Sequence, residues 1–363
     1  MFDLRLDEEQ KMLTEAIKRY AQQKVRKVFR DAEESGQMPE DVLQAGWEIG
    51  VLPALIPETY GGFGEHSAVT GVLALEEFAW GDLATTLALM TPNLLAIPVW
   101  LAGTEEQKRA YLPRLSEEKP PRFTAALTEP VYQFDPRQLA TTAVKEGNSY
   151  VLNGVKRYVP LAREAEMILV YANDGGVTQG FLVPGETAGL SIGPRDKLMG
   201  VRSLATYQVT LKDCRISAEN RLGGAQGCDF GRILNHSRVA LGAAAVGVAR
   251  SGFEYAAEYA KQRIQFGEPI AHRQSIAFMI ADMAADIDAM RLMVWEAAWQ
   301  LDQGQDATRA VTVMKHYVDK TVISVADRAL QILGGYGYIR EYPVELWLRN
   351  ARGFAAFDGL ATI

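Results

Sequence analysis

The chain has 363 residues, more than one ordinary core holds, so two or three domains are expected at roughly 100 to 200 residues each. Its 38 basic and 45 acidic residues give a net charge of -7 with no dense Lys/Arg block, which excludes a surface built to grip a nucleic-acid backbone. A hydrophobic content of 48% is that of a globular protein, and no apolar run approaches the ~18 residues of a membrane span.

Met1 leads into the charged LRLDEEQKML rather than an apolar leader, and a cytoplasmic location is expected. Residues 1–120 read as a helical domain. Asp7 is placed to cap a helix with Gln10 reaching back, and Leu13, Ala16, Ile17, Tyr20 and Ala21 form its apolar face. Further helices are expected over Asp41 to Ile49, Ser67 to Trp80, Leu83 to Ala102 and Glu105 to Leu115, with PETYGGFG, Pro57 to Gly64, as a loop among them.

Residues 121–225 change to a strand pattern. Gly147-Asn148 and Asn153-Gly154 read as turns flanking Tyr150-Val151-Leu152, and MILVYA, GFLVP and TYQVTL repeat the β signature. A small antiparallel barrel or sandwich is expected, followed by LGGAQG, Leu222 to Gly227, as a linker. Residues 226–363 return to long helices. Ile276, Met279, Ile280, Met283, Ile287, Met290 and Val294 share one face, with Asp282, Asp286 and Arg291 turned away, which is core packing. Helix, sheet and helix in separate blocks make an α+β protein.

Several chemistries have no sequence support. Neither GxxxxGK[ST] nor strand-GxGxxG-helix occurs, and no GxSxG elbow anchors a serine nucleophile. The four histidines, His66, His236, His272 and His316, lack metal-ligand spacing, so no metal is expected. Cys214 and Cys228 lie outside any CxxC and read as reduced thiols.

RIQFGEPIAHRQ (Arg263 to Gln274) and LQILGGYGYIREYPVE (Leu330 to Glu345) resemble the acyl-CoA dehydrogenase family. PETYGGFG, GTEEQKRAYLP, ALTEP, LNGVKRYV, KLMGVRS and AENRLGG follow in the family's order, so the resemblance covers essentially the whole chain. It implies an amino-terminal helical domain, a middle β-domain and a carboxy-terminal four-helix bundle, usually in a tetramer. The chemistry implied is α,β-dehydrogenation of an acyl thioester, on CoA or an acyl-carrier protein. A carboxylate takes the α-proton, FAD takes the β-hydride, and electron-transfer flavoprotein is a candidate acceptor.

By that resemblance Asp358, in FDG where the family usually reads YEG, stands at the catalytic base, flanked by Phe357 and Gly359 at the substrate. Asn235 and Arg238 fall on the family's Asp-x-x-Arg beside the thioester, while Ser237 offers no substitute base. Leu127, Thr128, Tyr158 and Val159 belong to the half of the flavin site contributed by the subunit that binds the acyl group. Arg263, Phe266, Ile270, Gln274, Gln331, Gly334 and Gly335 belong to the half lent to a neighbouring subunit. The first half is altered: Gln133 and Phe134 replace a glycine and a phosphate-binding serine, Pro160 a hydroxyl donor, and Leu360 a flavin-contacting threonine. Two readings follow. The chain is a dehydrogenase with Asp358 as base, or it is a non-catalytic subunit of a hetero-oligomer that completes a partner's FAD site. The sequence does not separate either from an oxygen-using relative.

Overall fold

Asp7 caps helix α1 (Glu8–Tyr20) as the sequence predicts: its carboxylate accepts the Gln10 N–H at 2.7 Å, and Gln10 Oε1 accepts the Asp7 N–H at 3.2 Å. The structure is a computed structural model that describes residues 5–363; residues 1–4, the first part of the stretch read as charged rather than as a leader, lie outside them. A π-helical turn joins α1 to α2 (Arg26–Ser35), followed by α3 (Glu40–Trp47), the short α4 (Val51–Ala54) and α5 (Ala68–Gly81). The single helix expected from Leu83 to Ala102 is two, α6 (Leu83–Met90) and α7 (Asn93–Ala102), bent by 47°. Pro92 lies in the break, where its missing N–H cannot extend the ladder. After a second capping box between Thr104 and Gln107 come α8 (Glu105–Tyr111) and a 3-10 turn to Ser116.

The middle of the chain forms one seven-stranded sheet that is mixed rather than wholly antiparallel. Its strands are β1 (Phe123–Ala126), β2 (Thr142–Glu146), β3 (Ser149–Pro160), β4 (Met167–Asp174), β5 (Val177–Pro184), β6 (Leu190–Arg195) and β7 (Thr206–Ser217). The order is β1-β4-β2-β3-β7-β6, with β5 also on β4, and β1 pairs with β4 in parallel. Parallel pairing needs a long crossover, here the whole β2–β3 hairpin, and leaves no local signature. Asn153-Gly154, expected as a turn, is a bulge inside β3: the register against β7 shifts there, and a Cβ on Gly154 would lie 2.4 Å from Thr141 Oγ1.

The Gly223–Gly227 turns lead into α9 (Phe230–Gln262). The two-residue strands β8 (Ile264–Gln265) and β9 (Glu268–Pro269) form a ribbon before α10 (Gln274–Asp302), α11 (Thr308–Leu333) and α12 (Val344–Ala351). Met283, Ile287, Met290 and Val294 are buried as expected, whereas Ile276, Met279 and Ile280 are only partly covered. The amino-terminal helices share one core with this bundle, chiefly through α5 and α9, whose small residues let them meet closely: a Cβ on Gly247 would lie 2.3 Å from Glu76 O. Among the described residues no single helix is long and apolar enough to cross a membrane.

Candidate active site

A 3-10 turn, Phe354–Ala356, delivers the segment Phe357-Asp358-Gly359-Leu360 onto the end of β1. Gly359 has φ 85°, and a Cβ there would lie 2.9 Å from Leu127, so this position requires glycine twice over. Thr128 Oγ1 donates to the Asp358 carbonyl at 3.1 Å and fixes the turn from the strand side.

The Asp358 carboxylate is half-buried between two cations. Arg238 on α9 donates to Oδ2 at 2.8 Å, and Lys315 Nζ on α11 stands 3.7 Å from Oδ1. Oδ1 itself accepts no hydrogen bond. Lys315 instead donates to Asp319 at 2.6 Å and to the Phe354 carbonyl at 3.2 Å. Burial pushes the Asp319 carboxyl up; Lys315 opposes this, and the charge of Asp358 adds to it.

Two cavities meet at this turn. One, of about 20 Å³, lies among α7, α9 and the residues after Asp358, and is walled by Leu94, Leu127, Ile233, Leu234, Ser237 and Gly359 among others. The second, of about 150 Å³, is walled by Tyr158, Leu198, Val201, Leu204, Phe357 and Leu360, with Arg349 and Arg352 at its edge. Asp358 itself lines neither, but its chain neighbours line both: Phe357 and Leu360 face one, Gly359 the other.

Tyr158 reaches the larger cavity because β3 breaks pairing with β7 between Lys156 and Val159, where Tyr158 adopts φ 56°. A buried ion pair pins this bulge. Lys156 and Glu129, with side chains 0% and 1% exposed, meet at 2.7 Å; Lys156 also donates to the Leu127 carbonyl, and Glu129 accepts the N–H groups of Ala140 and Thr141. Burial lowers Lys156 to about 8, while for Glu129 burial is outweighed by Lys156, which holds the carboxyl below its usual range. Val159 is buried in the sheet core.

Arg263, Phe266, Ile270, Gly334 and Gly335 come together elsewhere, in a groove of about 570 Å³ at the turn between α9 and α10 and the end of α11. Arg263 lies 5.2 Å from the Tyr336 ring, Phe266 is 93% exposed, and open space faces both glycines. Gln274 and Gln331 are exposed beside this groove and do not line it. Asn235 is directed away from Asp358, its amide donating to Thr308 Oγ1 at 3.1 Å.

These surfaces suit a flavin dinucleotide. A flat apolar slot with an aromatic wall fits a fused ring, and a groove with Arg263, Arg273 and glycines facing open space fits an anionic, adenosine-like end. Of the altered positions only Leu360 is on the slot wall; Phe134 packs on the helical core, and the Pro160 carbonyl accepts from Thr124 Oγ1 at 2.6 Å. Sequence reasoning missed Lys315, the Glu129–Lys156 pairing and the Leu198–Val201 wall. Glu129 and Lys156 lie inside the quoted TEP and NGVK motifs, but their contact crosses 27 residues. Among the described residues no group of three His, Cys, Asp or Glu side chains forms a metal site.

Comparison with known proteins bears on the family and the fold. Residues 7–119, 124–214 and 230–363 match the N-terminal, middle and C-terminal domains of acyl-CoA dehydrogenase. The chain is 35% identical to the caffeyl-CoA reductase-Etf complex subunit CarC of Acetobacterium woodii, over 98% of this chain and 96% of that one. The structure of butyryl-CoA dehydrogenase from Megasphaera elsdenii superposes with a TM-score of 0.89 at 30% identity, covering 99% and 96%. The FAD complex of PigA superposes at 0.88 with 26% identity, covering the same shares. The chain therefore belongs to the acyl-CoA dehydrogenase family and is an FAD-dependent oxidoreductase of acyl thioesters.

Proposed function

We propose that Asp358 is the base that takes the α-proton of an acyl thioester, with the acyl group in the smaller cavity and the flavin ring in the larger. The observation carrying this reading is the turn itself. Phe357 and Leu360 wall one cavity, Gly359 walls the other, and Oδ1 of Asp358 is buried with no hydrogen-bond donor. Such an oxygen is free to accept a proton. Arg238 anchors the other oxygen, and Thr128 fixes the backbone, so the carboxylate has one orientation. Bound FAD supplies the acceptor for the β-hydride. Tyr158 offers a ring face to the cofactor, and the apolar walls keep water from the reacting atoms.

The same groups serve either direction of reaction. The Acetobacterium relative is named a reductase and part of an Etf complex, which supports electron-transfer flavoprotein as the redox partner here. The exposed groove at Arg263 and Phe266 supports a homo-oligomer, a tetramer in this reading, in which each subunit holds a flavin ring and lends its groove to a neighbour's adenosine end. The carrier is CoA or an acyl-carrier protein. The alternative of a subunit that only lends its groove is not favoured, because the slot beside Asp358 is present.

The deciding experiment is the visible spectrum of the protein expressed alone, followed by anaerobic addition of butyryl-CoA and other acyl thioesters. About one FAD per chain, bleached by thioester, is expected. A colourless protein that takes up no added FAD would overturn the proposal.

A further inference from the structure

Asp358 has one anchored oxygen and one that is not, and the difference traces to Lys315. Arg238 donates to Oδ2 at 2.8 Å, whereas Lys315 Nζ stops 3.7 Å from Oδ1, beyond the hydrogen-bond range of about 3.2 Å. Two acceptors hold the ammonium back. Asp319, one turn further along α11, accepts from Nζ at 2.6 Å, and the carbonyl of Phe354, in the 3-10 turn that carries Asp358, accepts at 3.2 Å. Two of its three N–H groups are thereby engaged.

Coulomb attraction needs no such contact, and at this range a cation still favours the carboxylate over the carboxyl. The side chains of Arg238, Lys315, Asp319 and Asp358 are only 13 to 22% exposed, so solvent screens these two cations and two carboxylates little. Burial pushes the Asp319 carboxyl up, and Lys315, Asp358 and Arg238 all act on it, which makes the four groups one titrating system. Of the neighbouring titratable groups, His236 on α9 is hydrogen-bonded to the Ile363 carbonyl, His316 on α11 lies beside Lys320 at the surface, Lys156 on the strand side pairs with Glu129, and Arg352 stands at the edge of the larger cavity. An ammonium hydrogen-bonded to Oδ1 would have to leave before that oxygen took a proton. One held at 3.7 Å need not move.

We infer that Lys315 is a positioning residue for the base: held off Oδ1 by Asp319 and the Phe354 carbonyl, it favours the charged form of Asp358 while leaving the proton-accepting oxygen free. This rests on the proposed function, since it takes Asp358 as the base. Asp319 sets the strength of the effect, because its negative charge offsets part of the field of Lys315 at Asp358. Removing the Lys315 charge and neutralising Asp319 therefore act on Asp358 with opposite sign. A role confined to holding the Phe354 turn together has no such sign, since either change would only loosen it.

The test uses the FAD-loaded protein and two readings against pH. One is the rate of anaerobic flavin reduction by butyryl-CoA, whose acid limb reports the base. The other is the protonated-carboxyl band of Asp358 in difference infrared spectra, with Asp358→Asn as the blank, which needs no substrate. Lys315→Met should move both midpoints up by about one unit or more, and Asp319→Asn, whose amide oxygen still accepts from Lys315, should move both down. FAD content near that of the parent shows that each variant is folded. Midpoints that stay in place, or that move the same way in both variants, would overturn this inference and leave Asp358 as the base. If Lys315→Met does not fold, Asp319→Asn decides alone, and a midpoint unmoved or raised overturns the inference. Flavin reduction by Asp358→Asn within about tenfold of the parent would instead overturn Asp358 as the base, and this inference with it.

Discussion

Replacing Asp358 by asparagine tests the base while changing little of its shape. The carboxylate now offers Oδ2 to Arg238 at 2.8 Å and keeps Oδ1, free of hydrogen bonds, 3.7 Å from Lys315. The amide can turn its oxygen to Arg238, but its NH₂ then occupies the open position, where it cannot take a proton and faces a second cation. Loss of a positioned general base lowers the rate by about 10²–10⁴-fold, equivalent to about 2.7–5.4 kcal/mol in the barrier. FAD content should be unchanged, because the slot walls at Tyr158, Phe357 and Leu360 are untouched. The assay is anaerobic single-turnover reduction of the bound flavin by a thioester in stopped flow, which reports the chemical step apart from product release. Flavin reduction within tenfold of the parent would remove Asp358 from the mechanism. Asp358→Glu is the companion: one more C–C bond of about 1.5 Å must fit between the Arg238 clamp and the two cavities, and a misplacement of about 1 Å costs about 10²-fold. A slower enzyme is expected, whereas a faster one would show that the clamp does not set the geometry.

Other expectations concern assembly and stability. Light scattering should report a particle well above the 40.0 kDa of one chain, and Arg263→Ala should weaken FAD retention about 10–100-fold, measured by flavin release on dilution, through loss of a charge-assisted contact. Lys156→Met should cost about 3 kcal/mol or more in urea unfolding, since it strands Glu129 as a buried charge with only its two N–H donors. A loss below about 1 kcal/mol would show that the pair does not pin the Tyr158 bulge. Acid should destabilise the protein through His236, whose burial lowers it from 6.5 to about 3. The unfolded chain then binds a proton that the folded one refuses, so stability is full above about pH 6.5 and falls as pH drops, at up to about 1.4 kcal/mol per unit. His66, also lowered by burial, adds in the same direction. His236→Gln should flatten that slope in urea midpoints taken between about pH 7 and about pH 5.

Local chemistry is where the sequence was legible. The Asp7–Gln10 box, the buried methionines of α10 and the α+β block order each follow from neighbours a few residues apart. Asn153-Gly154 has turn chemistry, yet β3 runs through it, because a close approach by Thr141 from another part of the chain decides the outcome. The parallel β1–β4 pair joins residues about forty apart through alternation that antiparallel strands share. At the site, single positions could be found by motif, while their partners could not. Lys315 reads as one more charged residue on a helix, and only the fold, in which α11 packs on α9, puts it against Asp358. Nor does a run such as KLMGVRS reveal that Leu198 and Val201 form a wall of the slot.

The shared turn at Asp358 also limits how this enzyme can be re-engineered. Phe357, Gly359 and Leu360 belong to four consecutive residues, with Gly359 pressed on Leu127 and Phe357 packed 5.5 Å from Phe354. In the proposed function, a substitution there that enlarges the acyl side shifts the wall against the flavin, so altered chain-length preference would arrive together with weakened flavin retention. Positions on the helices carry no such coupling: Leu94 on α7 and Ile233 and Leu234 on α9 border the smaller cavity, the acyl site of the proposed function, and not the slot. A library aimed at longer acyl groups should vary those three side chains and keep the turn fixed. Randomising the turn should return mostly colourless variants whatever substrate is used to select them.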